Sequence, residues 1–275
     1  MNGNETVAIP ELTYFEEIMR HGFLGNYLST HPGFGSAAEI IVWMVLGFLV
    51  CAVTAYVIGS LNVGIILSRK VYKQDIRELG SKNAGATNMA RVFGGKAGVL
   101  TILGEFVKTF VAVYIGRLIW GVEGMFVSGL FAVLGQIFPV FYRFRGGKGV
   151  AATAAVMLFT TPGTFLVELV IFVIVAGGTK FISLASLMAA VLYPVLLNTI
   201  TGPGLHNIVA ILIAILICYR HKDNIKRLWN KEERKFEFGK VFKTKRRKKK
   251  EEEAAKAAAE AEAEAITDDK NGEKK

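Results

Sequence analysis

Apolar residues along this chain fall in blocks and do not follow the evenly spaced pattern of a soluble domain. Seven blocks stand out, at 39–67, 97–119, 122–142, 148–160, 163–178, 181–200 and 205–220. The first, EIIVWMVLGFLVCAVTAYVIGSLNVGIIL, carries one charge, Glu39, at its first position. About 20 apolar residues cross the hydrocarbon core of a bilayer. The pattern predicts an all-α fold, a polytopic membrane helix bundle of about seven transmembrane helices. The block at 148–160 is too short to cross unaided, so it must thin the bilayer or be shielded by neighbours.

The polar connections orient these blocks. With the C-terminus in the cytoplasm and seven crossings, one set of connections is 68–96, 143–147 and 179–180. It holds Arg69, Lys70, Lys73, Arg77, Lys82, Arg91, Lys96, Arg143, Arg145 and Lys180. The opposite set, GVEG (121–124), TTPG (160–163) and TITGPG (199–204), has no Lys or Arg. That asymmetry follows the positive-inside rule and places the N-terminus outside. Three parts follow: an acidic external extension (1–38), a membrane domain (39–230) and a cytoplasmic tail (231–275), basic and then Ala/Glu-rich.

Composition sharpens this only in places. The formal charge is +10, and the run KTKRRKKK (243–250) follows the last block in the same C-terminal stretch. Such a run reads as an anchor for anionic membrane lipids. No aromatics interleave with it, which argues against nucleic acid. The first 35 residues hold Glu5, Glu11, Glu16 and Glu17 against Arg20, so no secretory leader is visible. Cys51 and Cys218 lie inside apolar blocks and read as buried hydrophobes, not a disulfide. The four histidines lack metal-ligand spacing, so no metal or cofactor is expected.

Candidate chemistry gathers on the basic side. LGSKNAGATNMAR (79–91) crowds Gly80, Ser81, Asn83, Gly85, Thr87 and Asn88 ahead of Arg91. Successive backbone N–H groups in such a loop can form an anion nest, and Arg91 can add a bidentate fork. The stretch equally suits a polar turn between helices. FRGGKGVAAT (144–153) surrounds Lys148 with Gly146, Gly147 and Gly149. Tyr142 and Gly149 occupy positions where a nucleotide-binding loop needs Gly and Ser or Thr, which excludes that motif. What remains is a flexible loop offering a lysine to an anion, or an interfacial lysine reaching for water. SLAS (183–186) puts Ser183 and Ser186 near the start of a span, where serine commonly packs helices. In CYRHKDNIKRL (218–228), His221 and Asn224 share a helix face at i, i+3. Glu105 and Lys108 form a similar pair inside the second block, as a structural ion pair or a substrate contact.

Together, GSKNAGATNMARVFGGKAG, GQIFPVFYRFRGGKGVAAT, SLAS and YRHKDNIKRL resemble the bacterial acyl-phosphate:glycerol-3-phosphate acyltransferases, in the same order and spacing over roughly residues 39–230. The resemblance implies a multi-pass inner-membrane enzyme with its active site facing the cytoplasm. It implies transfer of a fatty acyl group from acyl phosphate to the 1-hydroxyl of glycerol 3-phosphate, yielding lysophosphatidic acid and phosphate at the first step of phospholipid synthesis. Carried over by motif, Ser81, Arg91, Lys148, Ser186, His221 and Asn224 line the site. Four positions depart from the family pattern: Lys82 and Thr109 replace glycines, Glu105 replaces aspartate, and Gln136 replaces histidine. Because FP and the lysine loop persist behind it, Gln136 is read as structural. A membrane transporter of a small phosphorylated anion and a catalytically inactive relative are the competing readings.

Overall fold

The computed structural model describes residues 20–27, 37–237 and 239. The chain divides into a body ending at Phe236 and a separate unit from Glu237 onward. Most of the acidic extension and nearly all of the tail lie outside the described residues.

The described body is helical, with no strand among the described residues. Residues 20–27 form α1. There follow α2 (Ala37–Gly59), α3 (Val63–Lys70), α4 (Ala86–Phe93), α5 (Gly95–Ile137), α6 (Val150–Thr160), α7 (Pro162–Thr179), α8 (Ile182–Thr201), α9 (Leu205–Arg220) and α10 (Lys222–Trp229). Four helical segments are long and apolar enough to cross a membrane: Ala38–Lys70, Gly95–Tyr142, Pro162–Thr179 and Ile182–Thr201. Val150–Thr160 and Leu205–Arg220 are apolar but shorter. On α7, Thr164, Glu168 and Ala176 face inward at i, i+4 spacing, while Leu166, Val170 and Ile174 are exposed. An outward face this apolar suits lipid, not water.

Two expectations from the pattern change. The apolar block 39–67 is not one helix. It ends at Gly59 and restarts at Val63, where the Asn62 side chain accepts from the Ile65 N–H at 3.1 Å and caps α3. The Val63 N–H donates to Glu105 Oε1 at 3.0 Å, so a carboxylate within the bundle satisfies the broken helix end. The connection expected at 121–124 shrinks to a pivot. Only Trp120 and Gly121 leave helical geometry inside α5, giving arms 95–119 and 122–137. Gly121 has φ +57, and an added Cβ there would lie 2.6 Å from the Arg20 carbonyl of α1. Glycine is therefore required for both conformation and space.

The main core joins α5, α6, α8 and α9 through Val133, Ile137, Val156, Tyr193, Leu197, Ile213 and Ile217. A smaller core of Ile65, Ile76, Ala84, Met89 and Ala97 lies beneath the polar segment between α3 and α5. Tyr72 stacks on Phe93 beside it, with ring centroids 4.2 Å apart. The glycine- and amide-rich stretch thus has its own packed base.

Candidate active site

The first loop is shaped by one buried amide. Asn88, 1% exposed, accepts from the Ser81 N–H at 2.9 Å and donates to the carbonyls of Leu79 and Asn83, each at 3.0 Å. This closes the loop and presents Ser81, Lys82, Asn83, Gly85 and Thr87 to a cavity of ≈ 1360 Å³. Asn88 borders that cavity too, yet its amide is committed to the loop itself. Gly80 and Lys82 take left-handed φ values of 59° and 58°. Lys82 thus holds a conformation that glycine would adopt at lower cost. Gly85 caps α4, whose first N–H groups have no partner within the helix, and Arg91 lies in its last turn. Burial and nearby Arg234 make the Arg91 charge costlier.

The second loop folds back onto the end of α5. Gly146 N–H donates to Ile137 O at 3.2 Å and Gly147 N–H to Gln136 O at 3.1 Å. The Gly147 carbonyl accepts from Arg220 Nε at 3.4 Å. Gly147, expected to contact an anion, does not border the cavity; its backbone serves the loop instead. Gly146, Lys148 and Gly149 do border it. Gly149, at φ +84, caps α6 and turns the chain inward. Lys148 Nζ donates to Asn224 Oδ1. Burial pulls the Lys148 amine down from 10.5 to about 8, against the opposing pull of Glu233.

The third and fourth motifs meet these loops. Ser186 borders the cavity and donates to Ile182 O at 2.8 Å. His221 sits between α9 and α10, 2% exposed. Its Nδ1 lies 2.8 Å from the Ile217 carbonyl; a carbonyl only accepts, so Nδ1 carries the proton. Burial, reinforced by Lys148, pushes the imidazole down to about 4. It is neutral near pH 7, with a lone pair left on Nε2.

One group was not legible in the motifs. Glu233 follows α10 and reaches into the cluster. Its Oε1 accepts from Ser183 at 2.7 Å and Asn224 Nδ2 at 2.6 Å; its Oε2 accepts from Arg227 Nε at 2.7 Å. Burial raises its pKa, but these three donors together hold it below the ordinary carboxylate value. Asn224 is thereby fixed with its amide toward Glu233 and its carbonyl toward Lys148. The segment is anchored where the Phe236 N–H donates to the Lys180 carbonyl at 2.8 Å. In sequence, Glu233 looks like one member of a mixed-charge tail. Nothing local marks it.

The intramembrane residues do form an ion pair, at the border of the same cavity, which Glu105 and Gln136 both line. Lys108 Nζ is 2.6 Å from Glu105 Oε2 and donates to Gln136 Oε1 at 2.6 Å and Gly59 O at 2.9 Å. Gln136 accepts from this lysine through its side chain and from Gly147 through its backbone, linking the pair to the second loop. Among the described residues, no group of three or more His, Cys, Asp or Glu is placed to hold a metal.

The cavity has two characters. Arg91, Lys148, Arg220, the first loop and the start of α4 supply charge and N–H donors at one end. Ile102, Phe106, Met157, Phe165, Leu169 and Phe172 supply an apolar wall. Cations and oriented N–H groups suit phosphate. An apolar wall continuous with them suits a lipid chain. Ser183 and Ser186 bond to Glu233 and a backbone carbonyl, not to His221, so neither forms an activated serine–histidine pair.

A helical membrane body holding such a cavity defines an integral membrane enzyme that handles phosphorylated, lipid-like molecules. Comparison with known proteins gives the particular family. Residues 49–231 match the family model described as glycerol-3-phosphate acyltransferase. A glycerol-3-phosphate acyltransferase of Finegoldia magna is 40% identical over 193 residues, covering 69% of this chain and 96% of that protein. The Bacillus subtilis enzyme of the same name is 39% identical over 186 residues, covering 68% and 96%. The crystal structure of PlsY (YgiH), an integral membrane glycerol 3-phosphate acyltransferase, in its glycerol 3-phosphate form superposes with a TM-score of 0.67. Its identity is 34%, over 70% of this chain and 98% of that one. Its lysophosphatidic acid form gives a TM-score of 0.64 at 33% identity, covering 70% and 97%. The chain belongs to the glycerol-3-phosphate acyltransferase family and is a membrane acyltransferase of phospholipid synthesis.

Proposed function

We propose that this acyltransferase uses acyl phosphate as donor and acylates the 1-hydroxyl of glycerol 3-phosphate, at the cytoplasmic face of a bacterial inner membrane. The observation that carries this is the meeting of Arg91, Lys148, Ser186 and Asn224, from four distant segments, around one cavity. Two phosphorylated reactants repel each other when held side by side, and buried cations offset that repulsion. An acyl phosphate is a mixed anhydride with a good leaving group, so positioning and charge stabilisation carry most of the burden.

In this scheme Ser81, Asn83, Gly85 and Thr87 hold the donor phosphate with the first N–H groups of α4. Arg91 and Lys148 neutralise it and the acceptor phosphate, with Gly146 and Gly149 allowing close approach. Asn224 orients Lys148. The glycerol hydroxyl attacks the acyl carbonyl, the bond from that carbonyl carbon to the phosphate oxygen breaks, and the hydroxyl proton passes to the departing phosphate. His221, at about 4, is a weak base and suits accepting a hydrogen bond from the hydroxyl through Nε2 more than removing its proton. No acyl-enzyme forms. Counting the two arms of α5 separately, with α6 and α9 as short crossings, gives seven transmembrane segments and puts the basic loops on one side. The basic run at 243–250 attracts anionic lipid from that same side.

The test is purified protein in detergent with radiolabelled glycerol 3-phosphate and, separately, acyl phosphate, acyl-CoA and acyl carrier protein thioester. Lysophosphatidic acid is expected with acyl phosphate alone, matched by phosphate release. Product from a thioester donor in place of acyl phosphate would overturn the reading. So would an acyl-serine trapped in wild type and lost in Ser81→Ala or Ser186→Ala.

A further inference from the structure

The apolar part of the cavity contains a carboxyl group that none of the chemistry above uses. Glu168, on the inward stripe of α7, is 2% exposed and borders the cavity. Both of its carboxyl oxygens lack a hydrogen-bond partner among the described residues. Thr153 on α6 borders the same cavity with its buried hydroxyl likewise unpartnered, and the Thr164 hydroxyl, buried on the Glu168 stripe, is a third. Tyr193 of α8 stands near Glu168 and Thr160. Buried polar atoms without partners are rare and costly in folded proteins. Within a membrane bundle, an ionisable residue facing the interior marks a site more often than a packing position.

Its depth identifies what it meets. The cationic end of the cavity lies where α7 ends and α8 begins, beside Ser183 and Glu233. Glu168 is roughly 16 Å back along α7 from Thr179, at about 1.5 Å per residue. Phe165, Leu169 and Phe172 on the same helix line the apolar wall around it. A chain with its reacting end among the cations would bring its middle, not its head, to Glu168. In either protonation state a carboxyl accepts a hydrogen bond from a hydroxyl.

We propose that Glu168 forms a polar subsite in the acyl groove that takes a hydroxyl carried in the middle of the substrate's acyl chain. The enzyme then uses mid-chain hydroxyacyl donors in preference to unsubstituted ones. A site built to bond a hydroxyl discriminates against the analogue that lacks it, because its own buried groups are then left unpaired. This rests on the acyl phosphate reading above, and its test separates the two.

The measurement is kcat/KM for three acyl phosphates of equal chain length: unsubstituted, hydroxylated in mid-chain, and hydroxylated next to the carbonyl. Wild type should favour the mid-chain hydroxyl over the unsubstituted chain by roughly ten- to hundredfold, the value of one strong hydrogen bond. The hydroxyl next to the carbonyl should bring no such gain. Glu168→Gln should keep the preference and Glu168→Leu should abolish it. Glu168→Met, which keeps an unbranched side chain of similar length and removes both acceptors, should abolish it as well and covers the case in which Glu168→Leu fails to fold. Equal ratios in wild type and the variants would overturn the subsite and leave the acyltransferase reading intact; the carboxyl would then serve hydration or packing alone. No transfer from any acyl phosphate would instead remove the donor assignment, and the subsite with it.

Discussion

Lys148 is the side chain whose protonation the proposed chemistry needs most. Burial lowers its amine to about 8, and only the ammonium form can hold phosphate. Rising pH through that value removes the charge, so kcat/KM for glycerol 3-phosphate should be level at neutral pH and decline above pH ~8. Lys148→Met should lose about ten- to hundredfold at neutral pH, corresponding to roughly 1.5–3 kcal/mol for a charge-assisted bond, and should flatten the alkaline limb. His221, at about 4, is neutral throughout that range and contributes no step near its ordinary value of 6.5. Glu233 supplies the companion prediction. Its negative charge opposes the downward pull of burial on Lys148. Glu233→Gln removes that charge and weakens the acceptor set for Ser183, Asn224 and Arg227. Activity should fall by about tenfold, and the alkaline limb should move to lower pH. A purely structural role would lower the amount of active enzyme and leave the limb in place.

At the scale of elements, the contact between α2 and the second arm of α5 sets the height of the ion pair. Small residues permit it: an added Cβ on Gly135 would come within 2.8 Å of Ser60 N, and one on Gly59 within 2.8 Å of Ala132 Cα. Lys108 bonds to the Gly59 carbonyl at that crossing and to Gln136 one residue beyond Gly135. Gly135→Val should force the helices apart and cost about 1–3 kcal/mol, read as a lower thermal midpoint in detergent. An unchanged midpoint would show that the crossing tolerates bulk. The Glu105–Lys108 pairing was legible from its i, i+3 spacing. Its consequence was not: hydropathy treats 39–67 as one block because it cannot register that Glu105 satisfies a helix start at Val63. The turn at Trp120–Gly121 was anticipated in place but not in size, since its tightness depends on α1 lying against it.

For the molecule as a whole, the proposed reaction needs both glycine-rich loops on one side of the bilayer. In a Cys51→Ala, Cys218→Ala background, Lys82→Cys and Arg143→Cys should react with a membrane-impermeant maleimide from the cytoplasmic side. Glu123→Cys should react only from the other. All three parent residues are exposed, so reach does not limit the result. Labelling of Lys82→Cys and Arg143→Cys from opposite sides would be incompatible with a shared cavity.

Sequence alone determined that the chain is a helical membrane protein, and it singled out the glycine-flanked, cation-bearing segments that are proposed to bind phosphate. Hydropathy, charge sidedness and glycine-flanked cations are properties of neighbouring residues, and they survive being read in one dimension. The tertiary structure decided which of those groups act together. Lys148 and Asn224 are bonded across 76 positions, and no local rule selects that partner. It also withdrew Gly147 from the cavity, bound Asn88 to its own loop, and brought in Glu233 and Glu168, which look like an ordinary tail charge and an ordinary polar interruption. The physical reason is that burial and hydrogen-bond partnership depend on distance in space, and that is set only when the helices have packed.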